Sequence, residues 1–131
     1  MRMTQEDKKL LLKDLCARQP YGVKFKAENE DSPIELHYVR DEDVYGRIYS
    51  NLPYWVVIIK PYLRSMSSMT EEEIKTYHSY CECNDGDFTG EILYFDTIES
   101  FDYLNSIHID YRGLIPMGLA LEAPEGMYKT K

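Results

Sequence analysis

The chain has 131 residues and a net charge of −8, with 44% hydrophobic and 13% aromatic residues. These values are typical of one folded domain and exclude an intrinsically disordered chain. Residues 1–70 hold 11 basic and 10 acidic side chains, whereas residues 71–131 hold 4 and 13, and such an acidic half repels nucleic acid and anionic lipid.

Targeting and cysteine usage predict a cytoplasmic protein. The start, MRMTQEDKK, has no apolar stretch of the kind that a secretion signal needs. The longest apolar run, Trp55 to Ile59, is far too short to cross a bilayer. Cys16, Cys81 and Cys83 are an odd number without an export signal, which favours reduced thiols. We therefore expect no membrane segment.

A helix is predicted at the N-terminus, within residues 1–20. Thr4 and Asp7 have the spacing of a helix cap, and Pro20 ends the helix near Gln19. Its broad apolar face consists of Leu10, Leu11, Leu12, Leu15, Cys16 and Ala17. Cys16 is expected to be a buried structural thiol on or beside this face.

From Tyr21 the hydrophobic period changes to two, which predicts strands over residues 21–64. The expected strands are 23–27, 34–38, 44–49 and 54–60, with Gly46 at a bulge or tight bend and Pro61 ending the last pairing. The run 54–60 is apolar on both faces and is expected to be the most buried strand. Short strands at such spacing predict a small, strongly bent antiparallel sheet or a barrel. An SH3-like or Sm-like barrel is the first choice, and a plain antiparallel meander covered by helices is the second.

Residues 65–131 are predicted to add two helices, a strand or hairpin and an apolar tail. Thr70 and Glu73 form a capping box that opens a helix over 71–80, and Phe88 to Phe95 is a strand. A second helix follows Asp96, capped by Asp96 with Glu99 or, alternatively, by Thr97 with Ser100. Residues 114–123 are expected to be an extended apolar segment. The predicted fold is a single α+β domain over residues 1–131.

The sharpest cluster of metal-ligand residue types is His78, Cys81 and Cys83. Imidazole and thiolate are the usual ligands of zinc, but the C-x-C spacing is tighter than a standard zinc knuckle, and the chain has no second cysteine pair. These three residues are therefore a weak candidate site, and we predict neither a metal nor a cofactor. No Gly-rich phosphate loop or dinucleotide fingerprint occurs, and no catalytic triad can be argued from spacing.

A basic and aromatic face is the alternative binding surface. The cations Lys24, Lys26, Arg40, Arg47, Lys60 and Arg64 alternate with Tyr21, Tyr38, Tyr45 and Tyr49. Small barrels bind single-stranded nucleic acid through such residues, by stacking and by phosphate contacts. Seven acidic residues lie in the same segment, however, so clustering of the cations rather than their number has to support this function.

Three blocks of the sequence resemble a family of short bacterial proteins. The blocks are DKKLLLKDLCARQPYGVK (7–24), KPYLRSMSSMTEEE (60–73) and TIESFDYLNSIHIDYRGLIPMGLALEAPEGMYK (97–129). They look like an uncharacterised family of gut anaerobic bacteria and of their phages or integrated elements. The resemblance implies a bacterial or phage setting, and it assigns no activity and no site residue.

The sequence therefore predicts a non-enzymatic accessory protein that binds a protein partner. A narrower hypothesis is inhibition of a host nucleic-acid-binding or defence factor, with the acidic half imitating phosphate charge. The alternative is small-ligand or single-stranded nucleic acid binding by the barrel face. The expected partner-binding residues combine tyrosines with charged residues of the acidic half: Tyr45, Tyr49, Tyr54, Asp102, Tyr103, Asp110, Tyr111 and Arg112.

Overall fold

A six-stranded sheet forms the centre of the fold. The computed structural model describes residues 3–28, 30–47, 52–85 and 92–128. Across the sheet, the strands are β4 (Tyr54–Trp55), β3 (Asp43–Gly46), β2 (Ile34–Arg40), β1 (Lys24–Ala27), β5 (Ile59–Leu63) and β8 (Leu121–Glu122). All neighbours are antiparallel except β5 and β8, which run parallel. The predicted α+β class is confirmed.

The sheet is open, with β4 and β8 at its edges. The SH3-like or Sm-like barrel is therefore not confirmed, and the predicted all-antiparallel arrangement does not hold at the parallel pair of β5 and β8. The run predicted as one strand over 54–60 is broken by a 3₁₀ turn at Val56–Ile58. The two-residue strand β4 is too short to carry the sheet round to closure. Pro61, expected to end the pairing, instead lies inside β5 opposite Phe25.

The N-terminal helix α1 (Gln5–Arg18) is confirmed with its cap. The Thr4 hydroxyl accepts the N–H of Asp7 at 3.0 Å, and the Asp7 carboxylate accepts the N–H of Thr4 at 3.4 Å. The buried stripe of α1 consists of Leu11, Asp14, Leu15 and Arg18. Cys16 lies off this stripe and is exposed, so its predicted burial is wrong.

One face of the sheet is buried and the other is open to solvent. Leu11 and Leu15 of α1 belong to the same buried cluster as inward-facing residues of four strands, namely Phe25, Ala27, Leu36, Val44, Ile59 and Leu63. The opposite face carries exposed polar and aromatic residues, including Glu35, His37, Tyr38, Arg47 and Lys60. The burial alternates along β1 and along the start of β2, as expected for an antiparallel sheet that packs on one side.

Gly46 lies opposite an irregularity of β2, where the pairing register shifts between Leu36 and Tyr38. A Cβ atom at position 46 would lie 2.3 Å from Cγ2 of Ile34. The bulge or tight bend predicted at Gly46 is thus present as a register shift, and the site needs glycine because Ile34 occupies the space of a side chain.

Helices α2 (Glu71–Tyr80) and α3 (Ile98–Ser106) pack together next to the hairpin of β6 (Glu82–Asp85) and β7 (Ile92–Phe95). The capping box of α2 is confirmed. In α3 the cap is formed by Thr97 and Ser100. The cap predicted first, Asp96 with Glu99, is wrong, because the Asp96 carboxylate instead accepts the hydroxyl groups of Ser100 and Tyr77. The strand predicted from Phe88 to Phe95 is described only over β7, because Phe88 lies outside the described residues.

Turns replace the extended segment predicted over residues 114–123, except at β8. The Asp110 carboxylate accepts the N–H groups of Leu114 and Ile115 at 2.8 and 2.9 Å, which folds the chain back. Leu114, Leu119 and Ala120 are buried, so the segment still packs on the body of the domain. In the described ranges, no helix is both long and apolar enough to cross a membrane.

Candidate functional site

A groove of about 720 Å³ lies where α1, α3 and the segment after α3 meet. We call it the α1–α3 groove. Its lining residues come from α1, the 3₁₀ turn before α2, α2, α3 and the segments that flank α3: Lys13, Ala17, Met66, Tyr77, Asp96, Ile98, Phe101, Asp102, Leu104, Asn105, Tyr111 and Arg112. The groove therefore combines apolar side chains with both signs of charge.

The apolar wall of the groove is unusually exposed. Ile98 is 79% exposed, the largest value among the exposed large hydrophobic residues of the described chain. Phe101, one turn later in α3, and Met66 are 37% and 45% exposed. The Thr97–Ser100 cap fixes the start of α3, so Ile98 and Phe101 are held on an ordered helix end and not on a frayed terminus.

The α1–α3 groove adjoins a buried ionic cluster, the Asp14 cluster, formed by Asp14, Arg18 and Arg112. The Asp14 carboxylate accepts Nε of Arg18 at 2.8 Å and Nη1 of Arg112 at 2.7 Å. Arg18 also donates from Nη2 to the carbonyl oxygen of Ile109 at 2.7 Å. Asp14 and Arg18 are fully buried. The cluster holds two guanidinium groups against one carboxylate.

Tyr111 connects the Asp14 cluster to the apolar wall. The guanidinium carbons of Arg18 and Arg112 lie 5.5 and 4.7 Å from the centre of the Tyr111 ring. The same ring lies 4.9 Å from the ring of Phe101. The aromatic face thus holds Arg112 by a cation–π contact while its neighbour Phe101 faces the groove.

Two buried polar atoms, Nη1 of Arg18 in the Asp14 cluster and Oδ1 of Asn105, have no hydrogen-bond partner in the described chain. Asn105 is only 4% exposed and lines the groove. An unsatisfied buried acceptor costs about 1–3 kcal/mol. These atoms mark a place where the fold leaves hydrogen-bonding capacity unused.

The structure brings three of the eight predicted partner-binding residues together, since Asp102, Tyr111 and Arg112 all line the α1–α3 groove. Asp110 is buried and holds the turn after it through Leu114 and Ile115, so its role is structural. Tyr103 is half-buried against Tyr80, with ring centres 5.6 Å apart.

The other three tyrosines lie away from the groove or outside the described residues. Tyr45 stacks on Tyr38 in the sheet, with ring centres 4.4 Å apart. Tyr54 packs edge-on against Phe25 at 5.7 Å and donates its hydroxyl to Glu30. Tyr49 lies outside the described residues. The described members of the predicted set therefore do not form one surface.

The weak metal candidate, His78 with Cys81 and Cys83, does not form a ligand group. In the described parts of the chain, no three histidine, cysteine or acidic residues are placed to hold a metal ion. The His78 ring instead lies flat on the ring of Tyr94, with centres 3.7 Å apart. Cys83 is exposed on β6.

His108 occupies a second unusual position, just after the end of α3. Its backbone φ is +64°, and its ring stacks on Tyr128 at 3.8 Å. Burial, followed by the charges of Arg18, Arg64 and Lys24, lowers the pKa of His108 to about 4. Its Nδ1 atom is buried without a partner in the described chain. The ring is therefore neutral at physiological pH.

The Tyr128 hydroxyl joins β1 and β5 where their pairing ends. It accepts the N–H of Lys24 at 2.7 Å and donates to the carbonyl oxygen of Tyr62 at 2.8 Å. Burial raises the pKa of Tyr128 above its ordinary value. His108 and Tyr128 therefore support the fold, and neither one lines the α1–α3 groove.

The sequence pattern did not mark Lys13, Asp14, Arg18 or Asn105 as site residues, and it did not predict the exposure of Ile98. A signal was present for two of them, because Asp14 and Arg18 are four residues apart on the stripe of Leu11 and Leu15. A charged pair at this spacing on an apolar face indicates a buried ion pair and not a solvated one.

Comparison of the chain with protein-family models, with curated proteins and with solved structures finds no match.

Proposed function

We propose that this protein is a non-enzymatic interaction protein that binds a segment of a protein partner in the α1–α3 groove. The observation that carries the proposal is the 79% exposure of Ile98 at the mouth of that groove. Exposed apolar residues are common singly, but a cluster beside a groove favours an interaction site. Met66, Phe101 and Ile98 line the same groove.

Several polar side chains of the lining are held in place by contacts within the protein, as a binding groove requires. Asp96 accepts hydroxyl groups from Tyr77 and Ser100, and Arg112 is paired with Asp14. A binding role uses the same contacts, because they hold the groove in shape before the partner arrives.

The narrower hypothesis of phosphate imitation concerns the exposed acidic residues of 71–131. Glu71, Glu72, Glu99 and Asp102 are exposed, and none has an ion pair with a described residue. They are available to a basic partner such as a nucleic-acid-binding protein. Charge-neutral replacement of these four acids is expected to weaken capture of such a partner. If capture is unchanged, the hypothesis of phosphate imitation is wrong. The bacterial or phage setting is the one that the resemblance implies.

The main proposal is tested by affinity capture with the tagged protein from a nuclease-treated lysate of its source cells. Ile98→Glu is the test variant, and Met117→Glu, 47% exposed outside the groove, is the matched control. We expect a protein that the wild type and the control retain and that Ile98→Glu loses. Identical capture by all three proteins contradicts the proposal.

The open face of the sheet supports a second candidate, single-stranded nucleic acid or small-ligand binding. Tyr38 and Tyr45 stack at 4.4 Å on this face, and Lys60 is exposed on it. Aromatic platforms beside cations bind single strands. Several of the cations are occupied, however, since Arg47 pairs with Glu35 at 2.8 Å and Arg64 with Glu73 at 2.7 Å.

A labelled oligonucleotide titrated at low salt separates the two candidates. Salt-dependent binding that Tyr45→Ala weakens would support the sheet face, because stacking contributes about 1–3 kcal/mol per base. Absence of binding at low salt, where phosphate contacts are strongest, would remove this candidate and leave the groove.

A further inference from the structure

The α1–α3 groove contains an arginine whose hydrogen-bonding capacity is only partly used. Among the described residues, Arg112 donates one hydrogen bond, from Nη1 to Oδ1 of Asp14 at 2.7 Å. A guanidinium carries five N–H donors. Lys13 lines the same groove, is exposed, and forms no ion pair with a described residue. The groove therefore offers cationic donors to a ligand. Two acids line the same groove: Asp96, which accepts the hydroxyl groups of Tyr77 and Ser100, and Asp102, which is exposed.

The position of Arg112 is fixed by a buried carboxylate and by an aromatic ring. Asp14 is fully buried, and the Tyr111 ring lies 4.7 Å from the Arg112 guanidinium carbon. Asp14 is also shared with Arg18, at 2.8 Å, so one carboxylate balances two guanidinium groups. An oriented, undercompensated guanidinium is suited to a carboxylate, which it binds with two parallel hydrogen bonds.

A second, independent observation in the same groove points to a ligand that donates a hydrogen bond. Oδ1 of Asn105 is buried and unpartnered in the described chain, and the side chain lines the groove. The terminal torsion of asparagine is soft, so a small rotation turns this oxygen toward a ligand donor. A backbone N–H of the ligand is the commonest group of that kind in a polypeptide.

The apolar wall supplies the third element of recognition. Ile98 and Phe101 are exposed along α3, and Leu104 continues the lining toward Asn105. The groove thus presents contacts for a carboxylate, for an N–H and for an apolar side chain. The C-terminal residue of a polypeptide carries all three groups when that residue is apolar, and capture of a terminal carboxylate is an established mode of peptide recognition.

We propose that the α1–α3 groove binds the C-terminal apolar residue of a partner polypeptide, with its carboxylate on Arg112 and Lys13. The backbone N–H of that residue meets Asn105, and its side chain packs on Ile98 and Phe101. This inference rests on the proposed function and specifies the part of the partner that enters the groove.

The test uses three small probes and the full-length protein in ¹H–¹⁵N correlation spectra. N-acetyl-L-phenylalanine carries the carboxylate, the N–H and the apolar side chain. N-acetyl-L-phenylalaninamide replaces the carboxylate by a neutral amide, and 3-phenylpropionate keeps the carboxylate but lacks the N–H. We expect the complete acid to shift the amide signals of Lys13, Phe101 and Asn105, and to bind about fivefold tighter than either other probe, as for one partly exposed charged contact.

Two groove variants and one control test whether Arg112 and Lys13 bind the carboxylate. Arg112→Gln is expected to bring the complete acid down to the affinity of the amide probe. Lys13→Gln, an exposed substitution that leaves the Asp14 cluster intact, is expected to weaken the acid about twofold to threefold. Arg47→Gln is the control, because Arg47 is an exposed arginine of the open sheet face, and it is expected to change nothing.

Three results would overturn the inference. Equal affinity of the acid and its amide would remove the carboxylate contact. Equal affinity of N-acetyl-L-phenylalanine and 3-phenylpropionate would show that the N–H is not recognised. The groove would then bind apolar carboxylates in general and not a C-terminal residue. Shifts confined to residues outside the groove would remove the site. None of these results touches the capture experiment with Ile98→Glu, which decides the proposed function separately.

Discussion

Arg18 donates a hydrogen bond from Nη2 to the carbonyl oxygen of Ile109 at 2.7 Å, across 91 positions of the chain. The bond ties the end of α1 to the segment after α3. It also orients the arginine so that Nε reaches Asp14 at 2.8 Å. The position of the α1–α3 groove therefore depends on a charged pair that is buried.

Removal of one member of this pair is expected to destabilise the protein strongly. Asp14→Ala leaves the fully buried Arg18 without its carboxylate, and such a change costs about 3–5 kcal/mol. The measurement is urea unfolding followed by circular dichroism. Lys9→Ala, on the exposed surface of α1, is the control and is expected to change the free energy of unfolding by less than about 0.5 kcal/mol.

The double variant Asp14→Leu/Arg18→Met distinguishes an unpaired charge from lost packing. If the cost of Asp14→Ala comes from the uncompensated guanidinium of Arg18, the double variant is expected to be more stable than Asp14→Ala, because apolar residues of similar volume replace the pair. A double variant that is less stable than Asp14→Ala would show that the pair itself stabilises the fold.

Gly46→Ala is expected to cost about 1–3 kcal/mol, the usual range for overpacking. The added Cβ would lie 2.3 Å from Cγ2 of Ile34, so one of the two strands has to move. The measurement is a double-mutant cycle with Ile34→Ala, which removes the clashing methyl group. The two substitutions are expected to be less than additive, and full additivity would show that the contact is not the cause.

Local sequence signals predicted the helices well and the groove poorly. Thr4 with Asp7 and Thr70 with Glu73 form their predicted caps, because a capping box involves only residues three apart. At α3 two overlapping boxes were possible, and the choice of Thr97 depended on Asp96 accepting the Tyr77 hydroxyl, 19 positions earlier. Such a contact is not visible in a local window.

The errors in the sheet and in the site have the same origin. The apolar run over 54–60 was predicted as one strand, and the turn at Val56–Ile58 depends on packing of the whole domain. Ile98, Phe101 and Leu104 have the three-residue spacing of one apolar helix face, which is typical of a face that packs on the core, yet Ile98 is 79% exposed. A hydrophobic period indicates which residues share a helix face but not which neighbour covers that face.

Glu73→Gln is expected to destabilise the protein by about 1–2 kcal/mol, through the loss of a charge-assisted pair. The Glu73 carboxylate accepts hydrogen bonds from Nη1 and Nη2 of Arg64 at 2.8 and 2.7 Å. It also accepts the backbone N–H of Thr70, the residue that caps α2, at 2.9 Å. The pair with Arg64 lowers the pKa of Glu73. The contribution of Glu73 is therefore complete above the ordinary glutamate pKa and is lost as the pH falls through the lowered value.

The neighbouring Glu72 provides the matched control for this prediction. Glu72 lies in the same first turn of α2 but is exposed and has no ion pair with a described residue. Glu72→Gln is expected to cost no more than about 0.5 kcal/mol, the value of an exposed acid near a helix start. Thermal unfolding of both variants at neutral pH is the measurement. Equal losses would assign the effect to the helix dipole and not to Arg64.

Acidification is expected to destabilise the protein through His108, between the ordinary histidine pKa of 6.5 and the value of about 4 in the folded state. In this window the unfolded chain binds more protons than the folded chain, so the stability rises with pH. The contribution is complete above the upper value and is lost as the pH falls to the lower one. Its size is at most about 3 kcal/mol.

The variant His108→Asn isolates this effect from the titration of carboxylates such as Glu73. Asparagine tolerates the φ of +64° at this position and does not titrate. Urea unfolding of both proteins at about pH 7, 5.5 and 4.5 is the measurement, and the wild type is expected to lose more stability than the variant over this range. Parallel curves would mean that His108 becomes protonated without cost, and that its ring is not shielded from water by Tyr128.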